Sequence, residues 1–183
     1  QSAQTPTPEA THTPSPEPAR ADIHVMVDGS GDYPTLEQAI AAASPRATIT
    51  LGPGSYRLIS GLTIKTSMSL VGAGMEETEI VSGGNGQVVK FEGSGSFAAE
   101  GITFRHDGVV PADVVVIQKG TGEFLDCRFT GAVYEEGEGN RAGLRFTGSS
   151  RGTVENCDAS DNDNTGILVE QQAQPELTGN TCS

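Results

Sequence analysis

Apolar residues along this chain recur two apart within short runs, and the runs themselves recur at an irregular interval of 23 to 30 residues. One set is VVKF (88–91), VVVI (114–117), GLRF (143–146) and GILV (166–169). Its closing residues Phe91, Ile117, Phe146 and Val169 lie 26, 29 and 23 apart, and the residue two before each is also apolar. That is what a strand burying one face requires. A second set is GITF (101–104), DCRF (126–129) and NCDA (156–159), and a third is marked by Phe124, Val154 and Leu177. Several strands per interval, with apolar positions stacked in parallel columns, predict an all-β solenoid in which each coil pairs only with its neighbours, a parallel β-helix. A β-sandwich would need hairpin signals between successive strands, and the columns recur at one full coil instead.

One segment breaks the strand pattern. In DGSGDYPTLEQAIAAAS, Thr35 and Gln38 have capping-box spacing, and Leu36 and Ile40 stand four apart on one helical face. A short amphipathic helix over about 35–43 is expected, placed to lid the N-terminal end of the solenoid. Before it, residues 1–22 alternate Pro with Thr, Ser and Glu and hold almost nothing apolar. They read as an extended tail or linker, followed by a β-helix domain over 23–183.

Composition narrows the picture. Apolar content of 35% with 5% aromatics, no Trp and 24 Gly suits a thin, long core of short strands and turns. A formal charge of −13 argues against nucleic acid or anionic lipid as a partner, because both need a basic footprint, and it disfavours an unassisted grip on acidic polysaccharide. No apolar run approaches the ~18 residues that span a bilayer, so no membrane insertion is expected. Cys127, Cys157 and Cys182 lie 30 and 25 apart, which is not zinc-type spacing. Cys127 and Cys157 share a column with Ile102 and read as buried, stacked side chains. Coils ~4.8 Å apart would also allow a Cys157–Cys182 disulfide.

The runs DGSGDYPTLEQAI, ITLGPGSYR and SLVGAGMEETEIVSG resemble the opening of pectin methylesterases and, more broadly, the pectate-lyase-like superfamily of right-handed parallel β-helices. The resemblance implies the handedness of the coil and a secreted or cell-surface location. It also implies an esterase site built from a Gln in a QAVA-like stretch, an Asp in a QDT stretch, an Asp in a GTVDFIFG-like stretch and a later Arg. Here the corresponding stretches read PADVVVIQ, with Asp113 near the Gln position, then GAVYEE, then GTVENC with Glu155 at the Asp position. No later Arg fits in the residues that remain. Glu155 cannot serve as both acid and nucleophile, so no esterase activity is expected.

A lyase of this superfamily would need calcium and a basic residue. Asp158, Asp161 and Asp163 in CDASDNDNTG supply hard oxygens that could meet Ca²⁺, although Asp and Asn are also the usual turn formers between strands. No other cofactor is expected. Arg145, Arg151 and Lys119 read as solvated surface. His12, His24 and His106 show no partner pattern, and Glu135, Glu136 and Glu138 lie in an exposed excursion, GAVYEEGEGN (131–140).

The sequence shows a lid for the first coil and none for the last, which makes Ile167, Val169, Leu177 and Cys182 the expected self-association residues. In polyproline geometry the 22-residue tail reaches about 68 Å at ~3.1 Å per residue. Six or seven coils rise only about 30 Å, so the tail could strap a neighbouring subunit. The leading expectation is a secreted, non-enzymatic structural protein that self-associates head to tail into an extracellular filament. The competing one is a carbohydrate-binding or polysaccharide-lyase-like β-helix domain of a longer cell-surface protein.

Overall fold

The computed structural model describes residues 20–183. The tail expected over 1–22, with its strap role and His12, falls outside the described residues except at its end, where the first strand already begins at Arg20. Three parallel sheets wrap one core in about six turns. Sheet A holds β1 (Arg20–Val25), β2 (Ala43–Leu51), β5 (Met68–Val71), β8 (Ser96–Glu100), β11 (Thr121–Leu125), β14 (Arg151–Glu155) and β16 (Gln174–Thr178), in that order. Sheet B runs β3 (Gly54–Arg57), β6 (Thr78–Ser82), β9 (Thr103–His106) and β12 (Arg128–Thr130). Sheet C runs β4 (Leu62–Ile64), β7 (Gly86–Phe91), β10 (Ala112–Ile117), β13 (Ala142–Phe146) and β15 (Thr165–Val169). Each strand pairs with its counterpart one coil away, so the fold is the expected β-solenoid.

All three sequence columns are register columns. Phe91, Ile117, Phe146 and Val169 stack in sheet C, and Ile64 extends the stack upstream. Phe104 and Phe129 stack in sheet B below Tyr56 and Ile80. Phe124, Val154 and Leu177 continue a line that starts at Ile23, Ile49, Leu70 and Ala99 in sheet A. Where Ala99 leaves room, Phe97 and Phe124 meet edge to face with centroids 6.0 Å apart. This small-beside-large filling keeps the core closed without wide side chains on every strand.

The helix α1 spans Leu36–Ala42, within the expected 35–43. Thr35 caps it, its hydroxyl accepting from the Gln38 backbone N–H at 3.3 Å. Leu36 and Ala39 are buried beneath it, so it covers the first coil between β1 and β2. No helix among the described residues is long and apolar enough to cross a membrane.

The turn from sheet A into sheet B is built the same way in four coils. Gly101, Asp126, Asn156 and Gly179 occupy it with φ of 62°, 50°, 52° and 68°. Only residues that tolerate the left-handed region fit there, and the chain uses Gly, Asp and Asn, the three that do so most readily. The residue after each corner points inward: Ile102, Cys127 and Cys157 are buried, and Asn180 follows them. The Cys157–Cys182 disulfide is therefore not formed. Between these columns the last coil takes 23 residues, not 25, which sets Asn180 opposite Cys157 and carries Cys182 on to Ala159. All three thiols are free in the structure.

Candidate functional site: the outer face of sheet A

Strand register alone lays out this face. One outward row runs Thr48, Ser69, Ala98, Glu123, Thr153, Glu176, and the next runs Thr50, Val71, Glu100, Leu125, Glu155, Thr178. Ala98 is the smallest side chain in its row, and its position sinks a shallow cleft of about 390 Å³ into the sheet. Val71, Ala98 and Leu125 give the cleft an apolar floor, Ser69 and Thr153 add hydroxyls, and Glu100, Glu123 and Glu155 rim it.

Charge is distributed unevenly between the sheets. The one carboxylate within the strands of sheet B, Glu79, is bonded by Arg105, which holds its carboxyl below the usual glutamate range. The one within the strands of sheet C, Asp113, is buried and meets Arg141 at 3.4 Å and Arg145 at 3.2 Å. By contrast, Glu100, Glu123, Glu155 and Glu176 form no ion pair among the described residues. Arg151, at the head of β14 on the same face, forms none either.

Adjacent strands repeat every ~4.8 Å, so Glu100 and Glu155, two strand steps apart across Leu125, have backbones roughly 9.6 Å apart. Carboxylates so placed accept hydrogen bonds from hydroxyl or ammonium groups of an extended polymer, and can hold a water between them.

A second cleft, of about 270 Å³, lies on the outer face of sheet C. Its strongest polar groups are already committed to one another. Arg145 donates to Glu170 at 2.7 Å and to Asp113, and Thr147 donates to Glu170 at 2.9 Å. This corrects the expectation that Arg145 is plain solvated surface: it holds a buried carboxylate and also ties down the Asn140 carbonyl at 3.3 Å.

The residues singled out from sequence separate in space. Asp113 lies in β10 of sheet C and Glu155 in β14 of sheet A, so the residues at the esterase Gln and Asp positions are not brought together. The calcium cluster is not formed either, because turn geometry consumes its members. Asp158 accepts from Arg128 and from the Ser160 backbone N–H at 3.1 Å, and Asp163 accepts from the Tyr134 N–H at 3.2 Å. Asp161 occupies a left-handed turn at φ 58°. Among the described residues no group of three acidic, Cys or His side chains could hold a metal. His106 is buried with Nε2 3.1 Å from the Gly84 carbonyl, while Glu135, Glu136 and Glu138 are exposed as expected. Val169 and Leu177 are 42% and 47% exposed on the last coil, with Ile167 half-buried beside them and Cys182 exposed.

Comparison with known proteins supplies the handedness that register alone leaves open. The family described as Right handed beta helix region matches residues 25–183. The chain belongs to that family. Among solved structures, this right-handed β-helix is similar to ORF18 of Geobacillus virus E2, at 19% identity and TM-score 0.61, over 86% of this chain and 41% of that one. It is also similar to pectin methylesterase PemA from Erwinia chrysanthemi, at 18% identity and TM-score 0.54, over 75% of this chain and 54% of that one. Pectin methylesterase from carrot shares 21% identity and a TM-score of 0.55, over 93% of this chain and 65% of that one. The chain thus spans less than two thirds of each, and the likeness is one of fold. No curated protein matches the chain in sequence.

Proposed function

We propose that this β-helix is an extracellular module whose sheet A face lies along an extended glycan that is neutral or bears amines. The observation that carries this reading is the coincidence, on one face, of the cleft over Ala98 with strand carboxylates that have no basic partner. Unpaired glutamates are free to accept from ligand hydroxyl or ammonium groups, and hydrogen bonds to charged groups contribute ~1.5–3 kcal/mol each. The net charge of −13 argues against a uronate polymer such as unesterified pectin. Two of the similar folds are named as pectin methylesterases, which agrees with polysaccharide as the general class of ligand.

Isothermal titration of the chain with neutral glucan oligosaccharides, chitosan oligomers and polygalacturonate tests this. Binding of one of the first two is expected at roughly 0.1–1 mM, and Glu100→Gln with Glu123→Gln should weaken it at least ~10-fold. Tighter binding of polygalacturonate, or equal binding by the double variant, would overturn the assignment.

A second reading is favoured by the exposed apolar side chains of the last coil. A second copy stacking on Ile167, Val169 and Leu177 would extend all three sheets, and repeated stacking would give a head-to-tail filament. Covering a few half-exposed apolar residues contributes ~5 kcal/mol against an association cost of ~4–15 kcal/mol, so such stacking is weak unless reinforced. Sedimentation at high protein concentration should show oligomers that Leu177→Asp abolishes. A wild type that stays monomeric would sink this reading.

A further inference from the structure

We infer that Cys127 and Cys157 are an oxidisable pair that closes into a disulfide inside the core, linking two adjacent coils. The corner preceding each cysteine sets this geometry. Asp126 and Asn156 share nearly the same left-handed conformation, φ 50° and 52°, so the two chains leave the corner in the same direction. The parallel bridge between Arg128 and Asp158 then sets Cys127 directly opposite Cys157. Both side chains point into the same slot of the core and are almost wholly buried.

The Cys157 thiol is hydrogen-bonded to the backbone of Cys127. The Cys127 backbone N–H points at Cys157 Sγ, 3.4 Å away, as the Cys157 N–H points at Asn180 Oδ1, 2.8 Å away, one coil on. Cys157 Sγ therefore occupies the position that a side-chain acceptor fills in the next coil, between its own strand and that of Cys127. Adjacent strands at ~4.8 Å fall within the Cα separations a disulfide spans. Cys182 has no such position, because it has moved on to Ala159.

The same contacts separate the two thiols in acidity. Hydrogen bonding from Cys127 lowers the Cys157 thiol below the usual range, and the contact with Cys157 together with burial pushes Cys127 well above it. Because its Sγ accepts the Cys127 backbone N–H, Cys157 is the better placed of the two to carry the thiolate and act as nucleophile. With a low-molecular-weight disulfide as oxidant, the Cys157 thiolate attacks one sulfur, forms a mixed disulfide and releases one thiolate. Cys127 then loses its proton and attacks Cys157 Sγ, expelling the second small thiolate. Two protein S–H bonds are lost, one S–S bond is gained, and the oxidant is reduced to two thiols. An extracellular setting is where such a bond would persist.

The test is to incubate the chain with oxidised glutathione, alkylate the remaining thiols, digest it, and map the cysteine peptides by mass spectrometry. The Cys127 and Cys157 peptides should be joined with loss of two hydrogens, with Cys182 alkylated or carrying glutathione. The Cys182→Ser variant should give the same joined peptides, and the oxidised chain should melt about 6–12 °C higher than the reduced one. A Cys157–Cys182 link would overturn the inference, as would Cys127 and Cys157 both remaining alkylatable after unfolding and refolding in the oxidant.

Discussion

Replacing Phe124 with Ala should remove about 4–5 kcal/mol of folding stability, near the upper end for a buried aromatic truncated to a methyl group. The ring is 1% exposed, and its centroid lies 5.2 Å from Phe129, 6.0 Å from Phe97 and 6.3 Å from Phe146. Its neighbours come from all three sheets, so no single strand can move to refill the gap. Leu177→Ala provides the internal comparison, because Leu177 occupies the same register column two coils on and is 47% exposed. It should lose less than about 1.5 kcal/mol. Urea denaturation of the two variants measures the difference, and comparable losses would show that the core does not close around Phe124.

The second large effect lies outside the core. Arg145→Ala should cost about 2–4 kcal/mol, because it leaves the buried Asp113 carboxylate with the more distant Arg141 as its only cation. It also releases Glu170 and the Asn140 carbonyl. Since Arg145 retains some exposure and Arg141 remains, the loss should fall short of that for a fully orphaned ion. Adding Asp113→Ala should recover a substantial part of it, since the cost lies in stranding the charge. A loss below ~0.5 kcal/mol for the single variant, or no recovery in the double variant, would show that the Arg145–Asp113 contact is not structural.

The columns were legible because two periods are superimposed, one of two residues within a strand and one of a coil between strands. Phe91, Ile117, Phe146 and Val169 could be placed on one face by both. Upstream members such as Tyr56, Ile80 and Ile64 carry a weaker signal because their strands are only three to five residues long and their coils vary in length. Irregular coil length also explains the misplaced disulfide: a spacing of 25 looks like one coil, yet that coil is closed by Asn180 two residues earlier. Asp113 and Glu155 fall near esterase positions along the line of the sequence, whereas the winding places them on different sheets.

Glu123 is readable as an outward residue because it adjoins Phe124 of the third column, whereas Glu100 takes its place only through the register of Ala99 with Phe124. What distinguishes them from ordinary surface glutamates is the lack of a basic partner, and that depends on strands 23 to 30 residues away. Arg145 presents the reverse case. Alternation gave its outward direction correctly, but Asp113 and Glu170 reach it only through the lateral neighbours of β13.

The constancy of the left-handed corner bears on what this scaffold can carry. From Ala99 to Ile102, Phe124 to Cys127, Val154 to Cys157 and Leu177 to Asn180 the chain advances by the same number of residues, so this corner works as a fixed ratchet tooth between sheets A and B. Differences in coil length collect instead between sheets B and C. Among the coils that carry this corner, the passage from Phe129 to Phe146 is the longest and that from Ala159 to Val169 the shortest. The excursion around Glu135 to Glu138 therefore marks a natural cloning port. A foreign epitope spliced there would lengthen a passage the fold already varies, whereas one added residue beside Asp126 or Asn156 would throw every later strand out of step.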